Sequence, residues 1–184
     1  MKPMIRPAAE SNGPAAGGLA RIQAAALDLP IVVGWAAFAG LVGWGLRLLD
    51  LDFETATAWD VFAFVALVLP VVLTFAFLEA SDRRATPGKR RLGLVVVNRK
   101  QQRLTRGRSL VRSVVKFAPW QMAHTALFQL QAESTSVGYL VLSIVAQAIV
   151  LASVFTMALD SRHRALHDLI AGTRVVKATV QPNG

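Results

Sequence analysis

Three long apolar stretches without a single charged side chain dominate this sequence, covering residues 29–46, 61–78 and 134–159. A helix of roughly 20 mainly apolar residues is enough to cross a hydrocarbon core of about 30 Å. Inside lipid there is no water to satisfy backbone N–H and C=O groups, so such stretches must close their own hydrogen bonds as helices. Trp44, Trp59 and Tyr139 lie at or near the boundaries of these runs, where amphipathic rings suit the headgroup layer. The chain is therefore expected to be an all-α membrane protein. Composition agrees, with 54% hydrophobic and only 17% charged residues. The absence of cysteine excludes disulfide scaffolds, thiol catalysis and Cys-ligated metal centres.

A fourth stretch, residues 117–132, is uncharged but shorter and carries Pro119, Gln121, His124, Gln129 and Gln131. Hydropathy leaves it open between a span and an interfacial helix, and loop charge decides. The chain holds 20 Lys+Arg against 11 Asp+Glu, a net charge of +9. Ten of the basic residues fall in residues 82–108 with one acid, whereas residues 50–60 hold Asp50, Asp52, Glu54 and Asp60 and no base. Cytoplasmic loops are enriched in Lys and Arg, so the basic loop is placed inside and the acidic one outside. Arg162, Arg164, Arg174 and Lys177 follow the last run and join the basic loop inside only if the fourth stretch also crosses. Four spans are expected, at about residues 24–48, 59–80, 109–132 and 136–160, with both termini cytoplasmic. Residues 1–18, rich in Pro, Gly and Ala without an apolar signal core, read as a flexible tail ahead of a membrane domain over 19–180.

The cytoplasmic pieces have local signatures. Thr86-Pro87 reads as an N-cap followed by proline at the first helical position, opening a short helix that lays Lys89, Arg90 and Arg91 along the headgroups. Residues 92–97 read as a strand, with a turn and a short returning strand at 103–105. After the last span, residues 164–171 read as a helix stopped by Gly172, and 173–180 as another strand. Pairing of the two valine-rich segments gives the expected architecture: a four-helix transmembrane bundle with a small cytoplasmic β-hairpin or sheet.

Three stretches taken in order, with spans between them, resemble the RDD family of mainly bacterial integral membrane proteins, named for one arginine and two aspartates. They are RIQAAALDLP (21–30), ATPGKRRLGLVVVNRKQQRLT (85–105) and RHRALHDLIAGTRVV (162–176). The resemblance covers about residues 18–178 and implies that Arg21, Asp28 and Asp168 are the family's polar residues. Pro87 stands where an aliphatic residue is more usual. The resemblance implies a multi-pass protein of the bacterial inner (cytoplasmic) membrane. For the molecular role it implies either transport of an ion or small ligand or a scaffold within a larger assembly.

Asp28 directly precedes an uncharged run. An acid in a span is costly, by about 2.5 to 3.5 kcal/mol at mid-helix, and the penalty falls towards the edge. It reads as an ion-pair or cap partner for Lys89, Arg112 or a helix beginning near Pro30, or as a coupling-ion site. Arg21 shares its helix face, about 10 Å away along the axis. His163 and His167, four apart beside Asp168, make an incomplete metal set; alternatively His167 and Asp168 dock the C-terminal segment against Arg21 or the basic loop. His124 reads as a hydrogen-bonding group between helices or as a proton relay with Gln121 or Gln129. Gly88-Lys89 lacks the phosphate-loop context, because Arg83 and Arg90 occupy the required Gly and Ser/Thr positions. Ala36/Gly40 and Ala39/Gly43 permit close helix approach. Nothing assembles a catalytic constellation. The expectation is a scaffold or accessory subunit, neither enzyme nor cofactor or metal binder; the alternative is ion or small-ligand transport, cation- or proton-coupled through Asp28. The expected partners are anionic lipid headgroups, met by Lys89, Arg90 and Arg91, and a homo-oligomer or larger membrane complex. Nucleic acid is not expected, since no aromatic residue interrupts the basic run to stack a base.

Overall fold

The computed structural model describes residues 13–51, 53–132 and 136–178. Residues 1–12 of the expected tail, Asp52 of the acidic loop, the start of the last uncharged run at 134–135 and positions 179–180 of the expected C-terminal strand lie outside them. Helix α1 spans Gly18–Leu48. It starts earlier than the expected span because residues 18–27 are rich in Ala, Leu, Gln and Arg, all good helix formers. Helix α2 (Ala56–Ala63) runs through a π-helical turn, Phe64–Val68, into α3 (Leu69–Ala80). Pro70 explains the turn: it has no N–H to give and its ring crowds the preceding carbonyls, which the wider turn accommodates. The short α4 is Pro87–Arg91, β1 Leu94–Asn98, α5 Arg106–Gln131, α6 Val137–Leu159, α7 Leu166–Ala171 and β2 Thr173–Lys177.

Among the described residues, three helices are long and apolar enough to cross a membrane: Gly18–Leu48, Ala56–Ala80 and Val137–Leu159, with mean hydropathies of 1.9, 2.8 and 2.3. Only 6% of the apolar window of α6 and 11% of that of α1 is buried within the molecule. Phe38, Trp44, Phe77, Ile144 and Phe155 all face outward. A continuous apolar exterior of this kind suits lipid and not water. Helix α5 has the length but not the composition, so the expected fourth span is not among the helices that qualify.

The sheet is antiparallel, with Leu94 opposite Lys177 and Asn98 opposite Thr173. The two valine-rich segments thus pair as expected, but residues 103–105 form no returning strand. Instead the Asn98 side chain accepts backbone N–H bonds from Lys100 and Gln102, closing a tight turn. Leu104 then tucks under the sheet with Ala16, Ala24, Leu94, Val96 and Val175, and Thr105 caps α5 by accepting from the Arg108 N–H at 3.3 Å. Both sheet edges are covered. Val96 N–H donates to the Arg84 carbonyl on one side, and Ala16 N–H donates to the Val175 carbonyl on the other. Residues 13–16, read from the sequence as part of a flexible tail, are hydrogen-bonded along β2, and Ala16 is fully buried.

Candidate functional site

The start of α1, the end of α3, α4, the start of α5 and α7 converge beside the sheet, and there six charged side chains form one chain of alternating sign. It begins at Arg21, whose guanidinium donates to the His163 carbonyl and pairs with Asp168. Asp168 pairs with Arg112 through both Nε and Nη2, each at 3.0 Å. Both nitrogens converge on Oδ1, leaving Oδ2 to Arg21 and the Ala165 N–H. Arg112 also pairs with Glu79, and Glu79 accepts from Lys89 Nζ at 3.0 Å. Lys89 Nζ lies 4.0 Å from Asp28. Asp28, Glu79, Lys89, Arg112 and Asp168 are all buried, and Arg21 nearly so. Three positive and three negative groups balance, which is the condition under which burying charge is tolerable.

Each carboxylate also fixes backbone. Asp28 accepts from Thr86 Oγ1 at 2.5 Å and from the Gly88 N–H at 2.7 Å, so a side chain from α1 supplies the N-terminal cap of α4. Thr86 holds the N-cap position but makes no capping bond of its own. At Gly88 a Cβ would meet the Ala24 carbonyl oxygen at 2.2 Å and Asp28 Oδ1 at 2.9 Å, so only glycine lets α4 approach α1 this closely. Asp168 sits in the first turn of α7 and accepts from the Ala165 N–H at 3.1 Å and from Thr173 Oγ1 at 3.0 Å. Burial alone would raise its pKa, but Arg112 and Arg21 outweigh that and hold the carboxyl well below the usual range. Burial pushes the adjacent His167 imidazole down, and Arg112 pushes it further, to about 3. Two outside contacts complete the end of α3: Arg103 Nε donates to the Ala80 carbonyl and Ser109 Oγ to the Ala76 carbonyl.

Arg21, Asp28 and Asp168, picked out by motif, therefore belong to one network, with Arg21 and Asp168 in direct contact. Asp28 meets Lys89, one of its expected partners, and caps α4, which was not among them. It does not meet Arg112, which serves Glu79 and Asp168. Pro30 is no helix start, since α1 runs through it. Lys89, expected on the headgroup side with Arg90 and Arg91, is turned inward by Glu79 and Asp28, while Arg90 and Arg91 are exposed. Glu79 was not among the sequence candidates, although an acid abutting the uncharged run 61–78 carries the same signal as Asp28.

The histidines take other places than expected. His163 lies in the turn before α7 with φ 50°, so it shares no helix face with His167. Among the described residues no three His, Cys, Asp or Glu side chains are grouped to hold a metal. His124 stacks with Trp120 and Phe128. It does not bond the glutamines: Gln121 donates to Asp60 at 2.9 Å and Gln129 to Thr57 at 3.0 Å. Of the small-residue pairs, Ala39 and Gly43 are buried, with Gly43 against Phe62 and Trp59, while Gly40 has open space beside it.

No curated protein and no solved structure is detectably similar to the chain. The model of the RDD family matches it over residues 15–172, which takes in Arg21, Asp28 and Asp168 and every member of the charge chain. A match across most of the chain, on residues that the fold gathers into one buried network, places this membrane protein in the RDD family.

Proposed function

We propose that the protein crosses the membrane four times, with both termini and the basic loop in the cytoplasm of a bacterial cell. It serves there as a scaffold or accessory subunit of a membrane assembly, without chemistry of its own. Helix direction supports the fourth crossing. Helix α6 ends at the charge chain and α5 begins there, so α5, packed along α6, must run out through the same depth. Its polar side chains are used internally, with Gln121 and Thr125 bonding Asp60 at 2.9 and 2.8 Å. Leu110, Val111, Val114 and Leu127 face outward. Internal partners of this kind offset the low hydropathy of α5. The ten basic residues of 82–108 orient the whole by the positive-inside rule.

The observation that carries the scaffold reading is the saturation of the charge chain. A coupling carboxylate must release and regain its ion. Asp28 instead holds Thr86, the α4 backbone and Lys89 at once, and losing any of them would unseat the basic loop. The exposed Arg90 and Arg91, held on this rigid base, are available to acidic partners or lipid headgroups. The test compares intact protein and Asp28→Asn in proteoliposomes, alongside mild extraction from native membrane. The scaffold reading expects no ion flux above empty liposomes, reduced stability of the variant and co-extraction in a stoichiometric complex. Measurable flux in the intact protein, lost in a folded Asp28→Asn variant, would establish transport instead.

A further inference from the structure

Helices α1 and α6 stand apart at the charged end, and α5 forms the floor between them. The slot is a cavity of about 230 Å³. Its walls are apolar, with Ile22 and Ala25 on α1, Val115 on α5, and Val150 and Val154 on α6. Its head is cationic, with Arg21, Lys89, Arg112 and Lys116 all lining it. Three of these four cations are matched by Asp168, Glu79 and Asp28. Lys116 is the surplus. It lies one turn beyond Arg112 on α5, about 6 Å further along the axis, and has no ion-pairing carboxylate among the described residues. Its ammonium rests over the Phe75 and Phe117 rings, 4.1 and 4.9 Å from their centroids.

We propose that this slot is a site for one anionic phospholipid, with its phosphate against Lys116 and an acyl chain between α1 and α6. Two independent features select that occupant. The nearby carboxylates Glu79 and Asp28 are already paired with Arg112 and Lys89, so the Lys116 ammonium has none of its own within ion-pair distance among the described residues, and a phosphate supplies one. The walls beside it are mainly methyl and methylene groups, with the Ser153 hydroxyl among them, which an acyl chain matches and a free inorganic anion does not. A transmembrane helix of a partner would fill the walls but leave the amine unpaired. The site is separate from the headgroup contacts of Arg90 and Arg91, and it depends on membrane residence, not on the scaffold reading.

Native mass spectrometry of the full chain in detergent tests this, with phosphatidylglycerol and phosphatidylcholine of identical chains as probes. One phosphatidylglycerol should be retained under activation that strips phosphatidylcholine, and millimolar inorganic phosphate should not displace it. Lys116→Gln should weaken retention by about fivefold or more, the loss of one near-surface cation, while Arg90→Gln with Arg91→Gln should not. Ala25→Trp, which fills the apolar half and leaves every charge in place, should also weaken it, and decides the matter if Lys116→Gln fails to fold. Equal retention of both lipids overturns the proposal. So does unchanged phosphatidylglycerol binding in a folded Lys116→Gln or Ala25→Trp variant, displacement by phosphate, or dependence on Arg90 and Arg91.

Discussion

Helix α5 meets buried carboxylates at two levels and handles them differently. Near its start, Arg112 joins Glu79 and Asp168 in a chain of six balanced charges whose carboxylates are sealed from solvent. Further along, Gln121 and Thr125 bond a single half-buried acid, Asp60, with neutral donors. The difference follows from burial. A carboxylate that keeps some contact with solvent needs only dipoles, but one with none needs a full counter-charge and donors for its remaining lone pairs. The first arrangement locks five helices together, α1, α3, α4, α5 and α7, while the second joins α2 to α5 alone.

The sharpest way to break this comparison is the same amide-for-carboxylate change at both levels. Asp168→Asn strips the counter-charge from Arg21 and leaves Arg112 with Glu79 only. Removing one member of a buried ion network costs about 3 to 5 kcal/mol, measured as the loss of unfolding free energy in detergent. A cost below about 1 kcal/mol would mean that water reaches the network and that the sealed picture is wrong.

Acid should separate the two levels next. In the unfolded chain His167 takes a proton as pH falls through its ordinary value of 6.5, but in the fold it stays neutral until about 3. The unfolded state then binds the extra proton, so stability is full above pH 6.5 and falls steadily between 6.5 and about 3. The limiting slope for one proton is about 1.4 kcal/mol per pH unit. Asp168, held below its ordinary 3.8, adds its own loss only below that pH. His167→Gln should make the melting temperature fall less steeply across the interval from 6.5 to 3.8; an unchanged slope would move the titrating group elsewhere.

How much of this was legible beforehand depended on whether a residue's partner was near in sequence. The apolar runs, the proline and glycine punctuation and the valine-rich strands are local signals, and they located α1, α3, α6 and both strands. Arg21, Asp28 and Asp168 emerged from their motifs. Their partners were legible only in part: Lys89 was expected for Asp28 and Arg21 for the segment of Asp168, but the Gly88 N–H, 60 positions from Asp28, and the pairing of Asp168 with Arg112, 56 positions away, were not. Thr86-Pro87 looked self-capping for that reason, since nothing local shows that a carboxylate from α1 replaces the threonine side chain. Lys89 looked like its exposed neighbours Arg90 and Arg91 until Glu79 was seen across from it. The sheet's third partner at residues 13–16 was hidden by composition, since Pro, Gly and Ala suit a tail as well as a tight approach.

Gly88 tests whether that approach matters as much as the charges it serves. Gly88→Ala keeps all six charges but drives a methyl towards the Ala24 carbonyl, which is backbone and cannot swing aside. Overpacking of this kind costs about 1 to 3 kcal/mol. Because Asp28 must then move from the α4 terminus, hydrogen exchange should quicken at the backbone of Pro87–Arg91 before it does in the sheet. Uniform quickening would indicate that α4 and the sheet open as one unit.

The smallest effect belongs to the far level. Asp60→Asn preserves shape and one acceptor oxygen, so it can still take a bond from Gln121 or Thr125, and no cation is left stranded. A neutral hydrogen bond contributes about 0.5 to 1.5 kcal/mol net, and the loss should stay within that range, well short of Asp168→Asn. A double-mutant cycle with Thr125→Val would then show coupling confined to the α2–α5 contact, and Asp60→Asn should add independently to Asp168→Asn because the two share no partner. If the two amide changes instead cost the same, burial would not be what distinguishes the levels. If both costs were also below about 1 kcal/mol, the alternating charges at the sheet end would be dispensable to the fold, and their place in the family's motifs would have to come from a ligand they bind.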